Sequence, residues 1–556
     1  MKPQAILHRL CETDRVSIPF VFDGVALAGL EGDTVLTAIL SQAPRLRNTE
    51  FSGSPRAGFC LMGACQDCWV ATTDGQRIRA CGTRLEPGMQ LQSLGVRSMN
   101  HVIVGAGPAG VRAAQTLVRH GLRPIVLDES PSWGGQIYRQ QPGNFKRSPR
   151  ALYGFESERA TRLHAAMADV LDRVDFRPSS MVWGAEKRHL DVLRNGRKER
   201  VPFETLILAT GATDRILPFQ GWTLPGVYSL GGSQVALKFQ GCGIGRRVVF
   251  AGSGPLLYLV AYQYAKAGAQ VAAVIDQSSF GSKMAGMQGM SRQPVVLAKG
   301  IYYTAWLRFH GVPVHQGAKL VSARGNERVS EVVWSDGARE HVVECDAIGF
   351  GYSLRSETQL ADLLGCTFVH DELQRAQLPQ RDWAGRSSVP GVYLAGDGAG
   401  IRGADAAEWD GELAALAMLS DMDPPVLVDV SRMADLKDKL GNIAAFRGGL
   451  ERAFPFPDDW AAEAEDSLTI CRCEEITAGE LRFAIATCGV KELNRLKALT
   501  RVGMGRCQGR MCGVAAGEIL AQATGKSVCD VGRLRAQAPV KPIPFAMLQT
   551  DQGDPS

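Results

Sequence analysis

The sequence predicts an α/β fold on three observations. An apolar strand, a Gly-rich turn, a helix and a second strand run through residues 101–130. The same succession returns at residues 246–276. A compact group of four cysteines stands on either side of this pair. A chain of 556 residues suits three or four domains, so separate modules are expected along it. Hydrophobic residues at 45% and charged residues at 21% argue against disorder. The net charge of +5 carries no basic block, which argues against a nucleic-acid partner. Met1–Leu10 holds no continuous apolar stretch, and no apolar run is long enough to span a bilayer. A cytoplasmic protein is expected, with peripheral attachment at the inner membrane as the other option. Fourteen cysteines are many for such a chain and point to metal or redox chemistry.

The first module, residues 1–98, reads as short strands around the Asp23-Gly24 turn, followed by a capped helix start in EGDTVLTAIL. Its cysteines, Cys60, Cys65, Cys68 and Cys81, have the spacing C-x4-C-x2-C with the fourth after twelve more residues. That is the spacing of plant-type [2Fe-2S] ferredoxins, with a last ligand that comes early. It looks more like the compact ferredoxin modules of succinate dehydrogenase. Four thiolates suit two irons bridged by two sulfides, and Gly58, Gly63 and Ala64 would let backbone amides approach the sulfides. A zinc site is the alternative, but it more often uses two separate cysteine pairs.

The central core, residues 99–430, opens with Gly105-x-Gly107-Pro108-Ala109-Gly110 between strand and helix, and its second strand ends at Asp128. Gly105 allows the tight turn, Gly107 lets backbone approach a pyrophosphate, and Gly110 lets helix pack on strand. Asp128 can take ribose hydroxyls. The second unit, inserted at about residues 245–345, has Gly252 and Gly254 with Asp276 at the end of its second strand, but Leu257 stands where a third glycine would be. That branched side chain should push helix from strand, leaving NAD(P) or another adenine nucleotide there in doubt.

Further segments follow in order: Gly134-Gly135-Gln136, then Thr210-Gly211, then Gly396-Asp397. In order and spacing they resemble the two-dinucleotide-binding flavoproteins, the glutathione-reductase group. The resemblance implies FAD on Gly105, Gly107, Gly110 and Asp128, with Thr210, Gly211, Gly396 and Asp397 at the flavin and its ribityl chain. An Asp397 that caps the next helix is compatible with that role. SWGGQIYRQQ contains no cysteine, which argues against the thiol–disulfide chemistry of the reductases in that group. Cys11, Cys242, Cys345, Cys366, Cys488 and Cys529 are read as buried structural thiols.

A helical connector, residues 431–465, leads to a last module at residues 466–535 and a tail at 536–556. Cys471 and Cys473 form C-x-C, and Cys507 and Cys512 form C-x4-C about thirty residues later, in Gly-rich turns at helix ends. The spacing resembles the small helical [2Fe-2S] domain of bacterioferritin-associated ferredoxin, with zinc the stronger rival here.

The complete order is an N-terminal β-grasp-type [2Fe-2S] domain, a two-dinucleotide-binding core and a C-terminal small helical [2Fe-2S] domain. With the phrases GGQIYR, RVVFAGSGPLL and TRVGMGRCQGRMCG, it resembles the α subunits of heteromeric opine dehydrogenase, hydrogen cyanide synthase, D-hydroxyproline dehydrogenase and sarcosine oxidase. The resemblance implies a partner β subunit, which is an FAD-dependent amine oxidoreductase of the D-amino-acid-dehydrogenase type. Also implied are an FMN at the subunit interface and a small third subunit. No His or Lys stands out as an amine-oxidising base, so no catalytic residue is expected here. The chain would carry electrons from the partner's flavin through FAD and two [2Fe-2S] clusters to an acceptor. The alternative is a stand-alone NAD(P)H-dependent FAD reductase that feeds a ferredoxin-type partner.

Overall fold

The computed structural model describes residues 5–49, 54–73, 76–93 and 100–544. They form two compact units, Met1–Asn100 and His101–Ser556.

In the first unit Ser17–Phe22 and Val25–Leu30 pair antiparallel across the turn, with Asp23 at φ 50° and Gly24 at φ 77°. The sheet order is Val25–Leu30, Ser17–Phe22, Gln90–Ser93, Trp69–Thr72, Arg77–Arg79. Gln90–Ser93 runs parallel to Ser17–Phe22, so the sheet is mixed. The helix Val35–Leu40 starts where Thr34 accepts from Thr37 N at 3.2 Å, as the sequence predicts. It buries Val35, Leu36, Ala38, Ile39 and Leu40 in one core with Phe20, Phe22, Cys68 and Cys81. Asp33, just before the cap, is buried and accepts from Arg9 Nη1 at 3.0 Å, Arg15 Nη2 at 3.1 Å and Leu30 N at 2.8 Å. A buried carboxylate needs such partners.

The second unit contains two parallel sheets of five strands. The first runs Asp175–Arg177, Ile125–Leu127, His101–Val104, Thr205–Leu208, Val392–Leu394. The second runs Val227–Ser229, Ala347–Tyr352, Arg247–Ser253, Gln270–Asp276, Val314–Gln316. Each is accompanied by a three-stranded antiparallel sheet, Ser180–Glu186 to Arg197–Pro202 in one and Lys319–Gly325 to Glu340–Glu344 in the other. Val392–Leu394 returns to the first sheet only after the second is complete, so the second dinucleotide unit is an insertion in the first. The strands read as continuous apolar runs because helices cover one face of each sheet and its antiparallel companion covers the other.

Pro108–Arg119 and Ala404–Ser420 pack on the first sheet and share its core. The long helix Val430–Ala453 crosses Phe280–Met290 at a point where both are bare: a Cβ on Gly289 would lie 2.5 Å from the Gly449 Cα. The last module is helical, with Ala478–Cys488, Leu493–Thr500 and Gly513–Thr524. Its first helix begins in a capping box of Thr477 and Glu480. Its apolar side chains Ile470, Leu481, Leu496 and Ile519 join one core with Trp222 and with Ile348 and Phe350 of the second sheet, so it is built onto that unit.

Within the described part of the 536–556 tail, Val540 is buried in the first sheet's core and its N–H donates to Trp183 O at 2.8 Å. Residues 545–556 lie outside the described residues. Of the six scattered thiols only Cys345 and Cys366 are buried; Cys11, Cys242, Cys488 and Cys529 are exposed, on turns or helix ends that no core covers. Leu257 is fully buried among Val248, Phe250 and Leu307, in the apolar core of the second dinucleotide unit. Among the described residues no helix is long and apolar enough to cross a membrane.

Candidate cofactor sites

The first Gly-rich turn is shaped by close backbone approach. Gly105 has φ 102°, and a Cβ there would lie 2.2 Å from Ala209 O. On Gly110 it would lie 1.8 Å from Gly105 O. Gly107 is the N-cap of Pro108–Arg119, and no side chain caps that helix, so its first N–H groups are left for an anion. Opposite lies the Gly134-Gly135-Gln136 loop. Gly134 N donates to Ala106 O at 2.8 Å, and Gly135, at φ 64°, places the Gly107 Cα 2.9 Å from where its own Cβ would be. Gln136 Oε1 accepts from Arg139 Nη2 at 2.7 Å. Asp128 accepts from Ala106 N at 2.5 Å and Ser130 N at 2.7 Å. Burial pushes its carboxyl upward, and lone pairs remain for further donors.

Thr210 and Gly211 follow the strand Thr205–Leu208, and Gly396 and Asp397 follow Val392–Leu394, the neighbouring strand. A Cβ on Gly398 would stand 2.5 Å from Thr210 Oγ1, and one on Gly396 would stand 2.9 Å from Ala109 Cβ. The structure thus gathers all four segments at the carboxyl ends of one parallel sheet, the place where such sheets bind ligands. Asp397 Oδ1 accepts from Arg402 N at 2.8 Å and Gly403 N at 2.9 Å, at the entry to Ala404–Ser420. Burial raises this carboxyl to about 6. Thr213 Oγ1 and Ser356 Oγ, on paired strands beside this turn, are buried with no partner. Unspent hydrogen-bonding capacity of this kind fits a polar ligand. Sequence reasoning missed Gly411, whose Cβ would lie 2.0 Å from Ala109 O; a glycine inside an otherwise strong helix was the available signal.

The second unit differs at its acid. Asp276 is fully buried and occupied by the protein itself. Its Oδ2 accepts from Tyr258 Oη at 2.5 Å and Lys283 Nζ at 2.6 Å, while Oδ1 accepts from Ser278 N at 2.9 Å and Ser278 Oγ at 2.6 Å. At the Gly252–Gly254 turn, a small shallow pocket is lined by Ser253 and Ser353 together with Phe454 and Phe456 from the end of the connector.

The first cysteine loop is strained. Gly58 and Gly63 have φ 77° and 83°, and the non-glycine residues Leu61 and Gln66 also stand at positive φ, 55° and 58°. Ala64 N and Cys65 N donate to Cys60 Sγ at 3.2 and 3.1 Å, and Cys60 N donates to Cys65 Sγ at 3.4 Å. The backbone N–H of Cys65, ahead of other donors, draws the Cys60 thiol down to about 6. Burial pushes Cys68, hydrogen-bonded to Cys81, up to about 11. Arg79, unnoticed in the sequence, lies between the two ends of the quartet: a Cβ on Gly63 would meet its Cζ at 3.1 Å and one on Gly82 its Nε at 3.3 Å.

In the last module Cys471 ends the strand Thr469–Cys471, and Cys512 is the N-cap of Gly513–Thr524. The thiol of Cys512 hydrogen-bonds both Cys471 and Cys507, and Cys473 hydrogen-bonds Cys507. Those contacts to Cys512 hold Cys471 near about 6 and Cys507 near about 5. Gly505 is required, since a Cβ there would lie 2.3 Å from Cys473 Cβ. The four thiols are thus linked in one chain, Cys471 to Cys512 to Cys507 to Cys473.

A two-sheet dinucleotide fold with these turns and an N-terminal cysteine loop defines a flavin- and iron–sulfur-dependent oxidoreductase. Residues 15–95 match the 2Fe-2S iron-sulfur cluster binding domain and residues 468–552 the sarcosine oxidase A3 domain. The chain belongs to the pyridine nucleotide-disulphide oxidoreductase family, matched over residues 99–411, and within it to the group of hydrogen cyanide synthase and opine oxidase subunits. It is 36% identical over 466 residues to hydrogen cyanide synthase subunit HcnB of Pseudomonas protegens, covering 81% of this chain and 97% of that one. It is 37% identical over 465 residues to a subunit of opine oxidase from Agrobacterium tumefaciens, covering 80% and 90%. The solved L-proline dehydrogenase from P. horikoshii shares the fold, with a TM-score of 0.60, 19% identity and coverage of 99% and 100%.

Proposed function

We propose that this chain is the electron-carrying subunit of a heteromeric dehydrogenase that oxidises the carbon–nitrogen bond of an amine or imino acid of the opine type. Its residues would hold FAD and two [2Fe-2S] clusters along a route from the flavin of a partner β subunit to an acceptor. When bound, flavin accepts two electrons and a cluster passes them on singly. The protein's own part is to hold these groups. Gly105, Gly107, Gly110 and Asp128 would take the adenosine and pyrophosphate. Thr210, Gly211, Gly396 and Asp397 would take the flavin and ribityl end. The quartets Cys60, Cys65, Cys68, Cys81 and Cys471, Cys473, Cys507, Cys512 would take the irons. The proposed domain limits are those read from the sequence.

The observation that carries this reading over a stand-alone NAD(P)H reductase is Asp276. The acid that would bind a nicotinamide dinucleotide's ribose already serves Lys283, Tyr258 and Ser278. Freeing it would leave the Lys283 ammonium, 17% exposed, without its partner before any ligand contact forms. Relatives named as subunits support a partner as the electron source.

Anaerobic stopped-flow mixing tests it. NADH or NADPH should leave the flavin of the isolated chain oxidised over the time of a turnover. The chain purified with its co-eluting partner should lose flavin absorbance on mixing with an amine substrate drawn from opines, sarcosine, glycine and hydroxyproline. Rapid bleaching by NADH in the chain alone contradicts the proposal.

A further inference from the structure

A buried guanidinium–carboxylate pair joins two of the proposed cofactor sites. Leu354–Ser356 ladders antiparallel with Ala212–Asp214, which brings the backbone of the next residue, Glu357, against the flavin turn. Thr210 Oγ1 donates to Glu357 O at 2.6 Å, and Glu357 N donates to Gly211 O at 3.0 Å. The carboxylate of the same residue accepts from Arg510 Nε at 2.7 Å and Nη2 at 3.1 Å. Arg510 lies inside the C-x4-C loop between Cys507 and Cys512, and its Nη1 donates to Cys507 O at 3.3 Å. Two neighbours brace the loop: Arg355 Nη1 donates to Arg510 O at 2.8 Å, and Gln359 Nε2 donates to Gln508 O at 2.7 Å. Glu357 is therefore bonded through its backbone to the Thr210-Gly211 turn and through its side chain to the cysteine loop.

The chemistry of the pair suits positioning better than bulk stabilisation. The two side chains are 11% and 12% exposed, so most of their hydration is lost, and a buried ion pair adds little stability over apolar packing. What the bidentate fork does supply is orientation, because both N–H groups must meet both oxygens. Electron exchange between two fixed centres falls steeply with separation and is sensitive to such orientation.

We propose that Glu357 and Arg510 are positioning residues that lock the Cys507–Cys512 loop to the flavin turn and so set the separation for electron exchange between flavin and C-terminal cluster. This rests on the reading of Cys471, Cys473, Cys507 and Cys512 as a [2Fe-2S] site. Each transfer moves one electron, oxidising the flavin by one and reducing the cluster by one. Two transfers empty a fully reduced flavin, with the cluster handing its electron to a one-electron acceptor between them, and the flavin's protons pass to water.

The test uses the full-length holoprotein with Glu357→Gln, which keeps the shape and removes the charge, and Arg510→Lys, which keeps the charge and removes the fork. Glu357→Asp is the conservative rescue. After photoreduction of the flavin, the rate at which the cluster signal grows in is followed by freeze-quench EPR. With flavin and iron contents at the wild-type level, the rate should fall at least about tenfold in Glu357→Gln and Arg510→Lys and recover substantially in Glu357→Asp. Wild-type rates in both charge- and fork-removing variants overturn the proposal. Loss of iron or flavin from both overturns it in favour of a fold-holding role. A wild-type chain with no second cluster signal overturns the underlying reading instead, and this is seen before any variant is made.

Discussion

Gly110→Ala is expected to empty the flavin site. The added methyl would sit 1.8 Å from Gly105 O, a backbone atom that cannot swing aside, so the helix Pro108–Arg119 must lift from the strand His101–Val104. Lifting it moves the uncapped N–H groups of the helix away from the turn that would cradle the pyrophosphate. Overpacking of this kind costs about 1–3 kcal/mol of stability. The larger effect falls on binding, because several backbone donors move together. Purified Gly110→Ala should carry flavin at about a tenth of the wild-type level or less, a loss of at least ~1.4 kcal/mol in binding. Gly441→Ala is the control. It stands inside Val430–Ala453 with nothing within 4 Å of the new methyl, so it should keep full flavin and gain about 0.5–1 kcal/mol of helix stability. Flavin absorbance after desalting measures both.

The second large effect is expected for Cys507→Ser. This thiol hydrogen-bonds both Cys512 and Cys473, so its loss disconnects the quartet at its centre. The variant should lose about two irons per chain and keep the two of the N-terminal site, since each binuclear cluster needs all four ligands. Flavin content should be unchanged, while electron delivery from a reduced partner to an external acceptor should fall by about a hundredfold or more. Cys529→Ser, an exposed thiol outside either quartet, should alter none of these. Iron and labile-sulfide analysis with dye-coupled turnover distinguishes the two variants.

How much of this was legible in the sequence depends on whether a feature is local. Gly105, Gly107, Gly110 and Asp128 could be read because their order along the chain is itself the geometry of a strand–turn–helix. The duplication was legible for the same reason, since each unit carries its own apolar strand and Gly-rich turn. Thr34, immediately ahead of its helix, announces a helix start. The contacts that decide function in the second unit were not legible. Lys283 reaches Asp276 from the following helix, and nothing in its spacing marks it as a lock on an otherwise familiar acid. Arg510 meets Glu357 across 153 positions, and Gly411 meets Ala109 across a helix crossing. Leu257 could be read as a departure from the glycine pattern, but not as a member of the apolar core it joins. The scattered cysteines were misjudged because thiol burial follows from tertiary cover rather than residue type, and Cys242 and Cys529 stand where that cover ends.

On the proposed function, the flavoprotein core carries a binuclear iron–sulfur site towards each end of the chain. The most direct measurement is EPR of the anaerobically isolated full-length protein after dithionite reduction, with iron, sulfide, zinc and flavin determined on the same sample. The account predicts two distinct [2Fe-2S] signals that integrate to about two spins per chain, about four irons, no stoichiometric zinc and one FAD. A single signal accompanied by one zinc per chain would place an ordinary structural ion on Cys471, Cys473, Cys507 and Cys512 and contradict the account.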